Sequence, residues 1–394
     1  GSLAVTSVTA NNQEIIHEQR VTDIPVENLV FEITFSGPLN PATIDGGDFR
    51  ISGFAEVPVT ITLSNENKTA NVAASGKLSD LRRYQITISD DIEGENQETL
   101  TSLTKIFYTA PDPSPDFPVI TDDALLTLVQ EQTFKYFWDL GHSVSGMARE
   151  RNSSGDIVTS GGSGFGLMAL IVGMERGFIT RAEGLERINT IVTFLESSDR
   201  FHGAWSHWID GSSGAVVPFS PNDNGGDLVE TSFLVQGLIT LRQYLDGAVP
   251  AENNLISRIN VLWQGVEWDW YTRAGEKVLY WHWSPDKEWF MNHQIKGYNE
   301  CLITYLLAAS SPTHAIDASV YHEGWASSGG IANGKMFHGI TLPLGFDYGG
   351  PLFFSHYSFL GLDPQNLRDT YANYWEQNVN HTLINHAYSA ANPK

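Results

Sequence analysis

A single cysteine, Cys301, is all that the 394 residues contain, so no internal disulfide can form and the redox compartment is not legible. Basic residues are scarce as well: 23 Lys and Arg against 46 Asp and Glu leave a formal charge of -23. That balance excludes nucleic acid, anionic lipid and polyanionic polysaccharide as natural partners, and it fits a neutral ligand. No run approaches the ~18 consecutive apolar residues of a membrane helix. Neither an HExxH motif nor a Cys–His cluster points to zinc. Asn222-Asp223-Asn224-Gly225 echoes a calcium loop but lacks the later ligands of an EF-hand. Ser160-Gly161-Gly162-Ser163-Gly164-Phe165-Gly166 is Gly-rich, yet no strand of a βαβ unit precedes it, so it reads as close backbone approach and not as a phosphate loop. With no GxSxG elbow either, the expectation is a chain that needs no metal and no cofactor.

What the chain does have is aromatic residues, 11 Trp, 14 Tyr and 20 Phe, within an apolar content of 41%. Its length allows two or three domains. Residues 3–110 alternate apolar and polar in short runs, as in Leu29-Val30-Phe31-Glu32-Ile33-Thr34-Phe35 and Tyr84-Gln85-Ile86-Thr87-Ile88. Turn residues punctuate these runs, which predicts a β-sandwich of about seven strands over 1–110. The stretch Phe35-Ser36-Gly37-Pro38-Leu39-Asn40 resembles a bacterial immunoglobulin-like domain. Pro111 to Pro118 holds four prolines in eight residues and reads as a stiff linker over 111–118.

From 119 to 394 the period turns helical. Helices are predicted at 122–140, with Leu125, Leu128 and Val129 on one face, and at 163–176. Thr180-Arg181-Ala182-Glu183 is a capping box opening another, through about 196. Four more are predicted at 227–245, 252–272, 293–310 and 364–385. Seven helices joined by elaborate loops suggest an α/α toroid, with inner helices carrying a cleft at one end.

Three acids stand at the entrance to the fourth of these helices. Asp223, Asp227 and Glu230 are spaced i, i+4, i+7, so a helix reaching back to 223 would present them on one face. Like charges this close repel, and one carboxyl is pushed toward a raised pKa, as general acid or base work on a sugar requires. The alternative is that they complement the helix dipole and cap free N–H groups. Glu300 lies in the apolar stretch Tyr298-Asn299-Glu300-Cys301-Leu302-Ile303. It is either paired to Lys296 or held partly desolvated, which would make it a general acid.

Polar loops supply the remaining candidates. Arg149 and Glu150 follow one of them; Trp205, His207 and Trp208 form Trp-Ser-His-Trp; Trp281, His282 and Trp283 lead to Trp289, His293 and Asn299. Tryptophan covers the apolar faces of a pyranose while His, Asn and Arg bond its hydroxyls, so these loops are expected to bind a neutral oligo- or polysaccharide.

The motifs Tyr136-Phe137-Trp138-Asp139, Gly146-Met147-Ala148-Arg149-Glu150-Arg151, Asn224-Gly225-Gly226-Asp227-Leu228-Val229-Glu230-Thr231, Gly297-Tyr298-Asn299-Glu300 and Gly349-Gly350-Pro351-Leu352-Phe353-Phe354 occur in order. Together they resemble the bacterial glucoamylase-like proteins that include glycoside hydrolase family 144, the endo-β-1,2-glucanases. The resemblance covers about 120–394. It implies an (α/α)6 barrel and inverting hydrolysis without a metal, and its cleft acids map onto Asp223, Asp227, Glu230 and Glu300. Glu300 is then expected to protonate the leaving oxygen, with the base among the other three, roughly 6.5–9.5 Å away. Family members run on past residue 394 with further helices and another cleft acid, so the toroid is expected to lack its C-terminal helices here. The opening Gly1-Ser2 without Met implies a targeting segment already removed, hence a periplasmic or cell-surface monomer. The rival readings are an exo-acting α-glucan hydrolase, a glucan-binding protein without turnover, and a polysaccharide lyase.

Overall fold

The structure is a computed structural model that describes residues 2–112 and 117–391. Half of the Pro-rich segment, 113–116, and the terminal Asn392-Pro393-Lys394 lie outside the described residues. The chain divides into two compact units, residues 1–120 and 121–394.

In the first unit the alternating runs form two five-stranded sheets and one short parallel pair. Its strands are β1 Ser2–Leu3, β2 Val5–Ala10, β3 Gln13–Glu14, β4 Val21–Ile24, β5 Val30–Phe35 and β6 Phe49–Ser52. They continue with β7 Glu56–Val57, β8 Val59–Ser64, β9 Thr69–Ala74, β10 Arg83–Ile88, β11 Thr99–Leu100 and β12 Leu103–Thr109. One sheet runs β3-β2-β5-β9-β8 and the other β4-β12-β10-β6-β7. Alternate residues of β5 (Phe31, Ile33, Phe35) point into the space between the sheets. There Phe31 meets Phe107 at 5.2 Å between ring centroids and Phe35 meets Phe49 at 6.4 Å. The unit is thus a sandwich, with more and shorter strands than the seven predicted, because bulges and brief pairs split the runs.

The second unit is helical. α1 (Asp122–Asp139) is capped by Thr121, and α2 (Ser160–Glu175) follows the short strand β13 (Ile157–Thr159). α3 (Arg181–Ser197) opens with the predicted capping box, Thr180 and Glu183 exchanging bonds with each other's backbone. After strands β14 (Trp208–Asp210), β15 (Val216–Val217) and β16 (Gly226–Asp227) comes α4 (Leu228–Tyr244). α5 (Pro250–Gln264), β17 (Leu279–Tyr280), β18 (His282–Trp283), β19 (Gln294–Ile295) and α6 (Leu302–Ser310) complete the part that builds the site. α7 (Phe353–His356) and α8 (Tyr374–Ala391) follow.

α4 is buried on nearly every side and packs on α2, α5 and α6. The glycines of α2 explain how closely it lies: a Cβ on Gly164 would sit 2.1 Å from the Phe233 carbonyl, and one on Gly237 would sit 2.2 Å from the Gly164 carbonyl. α3 and α5 instead bury a single face, through Ile188, Ile191, Val192 and Leu195 in one and Leu255, Ile259 and Leu262 in the other.

Four expectations are corrected. The apolar face of α1 is not buried among the described residues, since Leu125, Leu128 and Val129 remain about half exposed; α1 is anchored through Phe134, whose ring packs on Gly173 and Phe178. The helix over 252–272 ends at Gln264, and that over 293–310 shrinks to Leu302–Ser310. Finally, the helix over 364–385 is shifted to Tyr374–Ala391.

Candidate functional site

The glycines at 225 and 226 stop any helix from reaching back to Asp223. Gly225 and Gly226 are pressed against Trp283, Ser284 and Tyr271 with no room for a side chain, and the backbone there is extended. Asp223 arrives instead through a turn closed on Ser220. Asp227 is the N-cap of α4: its Oδ1 accepts from Val229 N (3.0 Å) and Glu230 N (2.9 Å). The capping role is therefore real, and the acids converge as well.

The other oxygen of Asp227 faces His207 Nδ1 at 3.2 Å and His282 Nδ1 at 4.0 Å. β16 pairs with β18 so that Asp227 lies opposite His282. His282 Nδ1 also stands 3.3 Å from Asp223 Oδ1, a charge contact without hydrogen-bond alignment. Asp223 and Asp227 are both buried. Glu230 projects one turn into α4, where its Oε2 accepts from Gly161 N at 3.1 Å. A Cβ on Gly161 would fall 2.2 Å from that oxygen, so the Gly-rich start of α2 serves close approach to a carboxylate.

Glu300 is not in a helix. It sits in the turn before α6, which begins one residue after Cys301. Asn299 accepts from Cys301 N (3.0 Å) and the Trp325 indole (3.3 Å). Ser358 donates to the Glu300 carbonyl (2.6 Å) and accepts from Ile303 N (3.1 Å), pinning the turn from 58 residues away. No ion pair joins Lys296 to Glu300 among the described residues. Burial raises the Glu300 carboxyl above its usual range.

Electrostatics sorts the acids. Burial lifts Glu230 to about 7, helped by the neighbouring charge of Asp227 and, more weakly, of Glu300. Burial would raise Asp227 too, but the His207 bond and the charges of both imidazoles outweigh it and hold the carboxyl below its usual value. Burial opposes the charged form of His207, yet Asp227, Glu230 and Asp223 together carry it up to about 9. Glu230 and Glu300 are reached by solvent even though both are largely desolvated, whereas Asp223 and Asp227 are not. Two raised carboxylic acids thus lie within charge-interaction range of each other, beside a buried carboxylate that faces two imidazoles. Such an arrangement can hold one proton ready for donation and another group ready to accept one.

Residues 5–110 match the family model of the bacterial Ig-like domain, and residues 292–394 match the model described as "Putative glucoamylase". The endo-β-1,2-glucanase of Chitinophaga pinensis, solved with sophorotriose and glucose, is 55% identical, with a TM-score of 0.68 over 70% of this chain and 68% of that one. The chain belongs to its glucoamylase-like family. A β-1,2-glucanase of Parabacteroides distasonis is 36% identical and superposes over all of this chain and 56% of its own, with a TM-score of 0.66. An exo β-1,2-glucooligosaccharide sophorohydrolase from the same species is 47% identical over 339 residues. The chain spans about 45% of the length of that curated relative. An Ig-like module followed by a helical domain similar to these glucanases is therefore the architecture of this family member. No helix among the described residues is long and apolar enough to cross a membrane.

The other residues expected at the site divide sharply. Glu150, bonded to Arg151, lies close enough to His207 for their charges to interact. Arg149 has a buried Nε without a hydrogen-bond partner. Trp281 stacks on His293 at 4.9 Å, beside His282. Trp208 borders His207. Trp205, however, is core: it is fully buried, its ring lies under the Arg200 guanidinium at 4.2 Å, and its backbone bonds Thr231 of α4. Trp283 and Trp289 are turned away too. Strand alternation puts His282 on the acid side and Trp283 on the other, opposite Gly226. There Trp283 meets His202 and Trp270, while Trp289 packs beside Trp270. Asn299 spends its carboxamide oxygen on the turn that holds Glu300.

Sequence reasoning missed Phe219, Gly161 as a donor, and Ser358. Phe219 is half exposed and tilts over His207 at 4.4 Å; its place between two prolines' worth of loop, Pro218 and Pro221, was the available signal. Nothing local marks Ser358, whose partners are distant in sequence.

Proposed function

We propose that this protein is an inverting glycoside hydrolase of neutral β-1,2-linked glucan, acting without a metal or cofactor. The reading rests on Glu230 and Glu300, two solvent-reached carboxyls raised by burial at the start of neighbouring helices and near enough for their charges to interact. Glu300 donates the proton to the leaving oxygen. Glu230 is the base that activates water, its Oε2 held by the Gly161 N–H, a bond that favours the carboxylate form. Asp227 is too sequestered to touch substrate; it is a positioning residue that keeps His207 charged and orients both His207 and His282. Asp223 secures His282 from the other side. Trp208, Trp281, His293 and Phe219 offer stacking faces.

In this reading α2, α4 and α6 are inner helices of an α/α toroid, with α3 and α5 outside them, because only the first group is buried nearly all round. The Ig-like module is a separate domain over 1–110, and the enzyme is a monomer working in the periplasm or at the cell surface. The names of the relatives favour endo cleavage in one case and release of disaccharide from a chain end in another. Incubation with β-1,2-glucan, starch and a polyuronate, followed by product sizing, tests the proposal. Oligosaccharides of mixed length from β-1,2-glucan alone are expected. Cleavage of starch alone, or binding without any cleavage, would refute it.

A further inference from the structure

A second set of aromatic residues lies on the reverse of the β16–β18 ribbon. Trp270 is 40% exposed and backed by His202, whose ring lies flat against it at 3.7 Å and 12°. Trp289 stands beside it at 6.4 Å and 30°. Trp283 closes the back, edge-on to both Trp270 and His202. A cavity of about 380 Å³ opens over Trp270 and Trp289, with Glu267, Asp269, Arg273 and His314 around it. That volume falls in the ordinary range for a small-molecule site.

The polar groups around this cavity already have local partners. Glu267 pairs with His202 at 2.8 Å, Asp269 with His314 at 3.0 Å, and Arg273 bonds Asn292 at 2.7 Å and faces Glu276 at 3.8 Å. The lining is held in place by these bonds. It does keep free lone pairs and N–H groups that can bond hydroxyls. A rigid, partly exposed indole bordered by such groups is the chemistry that recognises a neutral pyranose: its C–H face on the ring, its hydroxyls on the rim.

We infer that the Trp270–Trp289 cavity is a second saccharide-binding site, separate from the acid cleft and set on the opposite face of the ribbon that carries Asp227 and His282. That its ligand is the same β-1,2-glucan rests on the function proposed above. A polymer held there is tethered beside the cleft, which raises its effective concentration without adding a group to the reaction.

The test uses the 394-residue chain carrying Glu300→Gln to suppress turnover. Calorimetry with β-1,2-glucooligosaccharides, and in parallel with malto- and cello-oligosaccharides, counts the sites, while NMR follows the indole N–H of Trp270. At least one of these sugars is expected to move that resonance. Adding Trp270→Ala should weaken that binding roughly tenfold or more, as loss of a stacking face does, and Trp270→Phe should restore part of it. In the otherwise native chain, Trp270→Ala should leave hydrolysis of short oligosaccharides unchanged and slow that of long polymer. Should Trp270 respond to malto- or cello-oligosaccharides and not to β-1,2-glucan, the second site stands and the proposed substrate falls. Two results overturn the inference: an unmoved Trp270 resonance with every sugar, or equal loss of short-substrate hydrolysis in Trp270→Ala, which would make the cavity part of the cleft. Trp289→Ala serves as the second variant if Trp270→Ala does not fold.

Discussion

Replacing Asp227 by Asn removes one charge and almost nothing else. Asn is as good an N-cap as Asp, so the bonds from Val229 and Glu230 N–H to Oδ1 should persist. What disappears is the anion facing His207 at 3.2 Å. His207 is lifted from 6.5 to about 9 despite burial, chiefly by its bond to Asp227. At about 1.4 kcal/mol per pKa unit, that lift corresponds to roughly 3 kcal/mol favouring the folded state. The sign follows from linkage. A group whose folded pKa is raised contributes fully below its unfolded value, here near 6.5, and loses its contribution as pH rises through about 9. Asp227→Asn should therefore be less stable than the parent by up to about 3 kcal/mol at pH 6, and the gap should close by about pH 9.5. Urea denaturation followed by helical circular dichroism at pH 6, 7.5 and 9.5 measures this. A gap that stays constant with pH would mean that the imidazole is not held charged by Asp227, and the electrostatic account of the site would fail.

Gly161→Ala places a methyl 2.2 Å from Glu230 Oε2 and should cost at least tenfold in kcat while shifting the pH profile, with helix content intact; normal kinetics would show that this carboxylate need not be held there. Trp205→Ala should cost about 3–5 kcal/mol of stability, as removal of a fully buried aromatic does. Trp281→Ala should instead weaken glucan binding by roughly 1–3 kcal/mol with a near-native melting temperature, and the reverse pattern in calorimetry would exchange their roles. Ser358→Ala leaves the Glu300 carbonyl and Ile303 N–H without their shared partner. It is expected to destabilise by about 1–3 kcal/mol and to lower kcat, and stability loss with unchanged kcat would show that the turn does not position Glu300.

Local signals carried far along this chain where the physics was itself local. The Thr180–Glu183 box marks a helix start because both partners lie within one turn. The acids at 223–230 read as a cluster because they fall within eight residues, and the structure brings Asp223 and Asp227 to the same imidazole, His282. Legibility failed where tertiary contacts decide. Glu300 reads as helical because the apolar run from Cys301 extends back to Tyr298, but Asn299 and Ser358 stop the helix from both sides. Trp205 and Trp208 share one four-residue motif and have opposite fates, because α4 packs over the first. His282 and Trp283 part for a simpler reason: they form a strand, and a strand of two residues is too short to reveal its period in sequence. The exposed face of α1 shows that an apolar stripe predicts a packing surface without saying what occupies it.

The central claim is that Glu230 and Glu300 form an acid–base pair for single displacement on β-1,2-glucan. Proton NMR of the anomeric signals during the first turnovers tests it most directly. Inversion predicts that the newly formed reducing ends appear first as the α-anomer and then mutarotate. Both Glu300→Gln and Glu230→Gln should abolish that signal by roughly 10²–10⁴-fold in rate while the fold is kept. First appearance of the β-anomer, or near-native rates in either variant, would contradict the account.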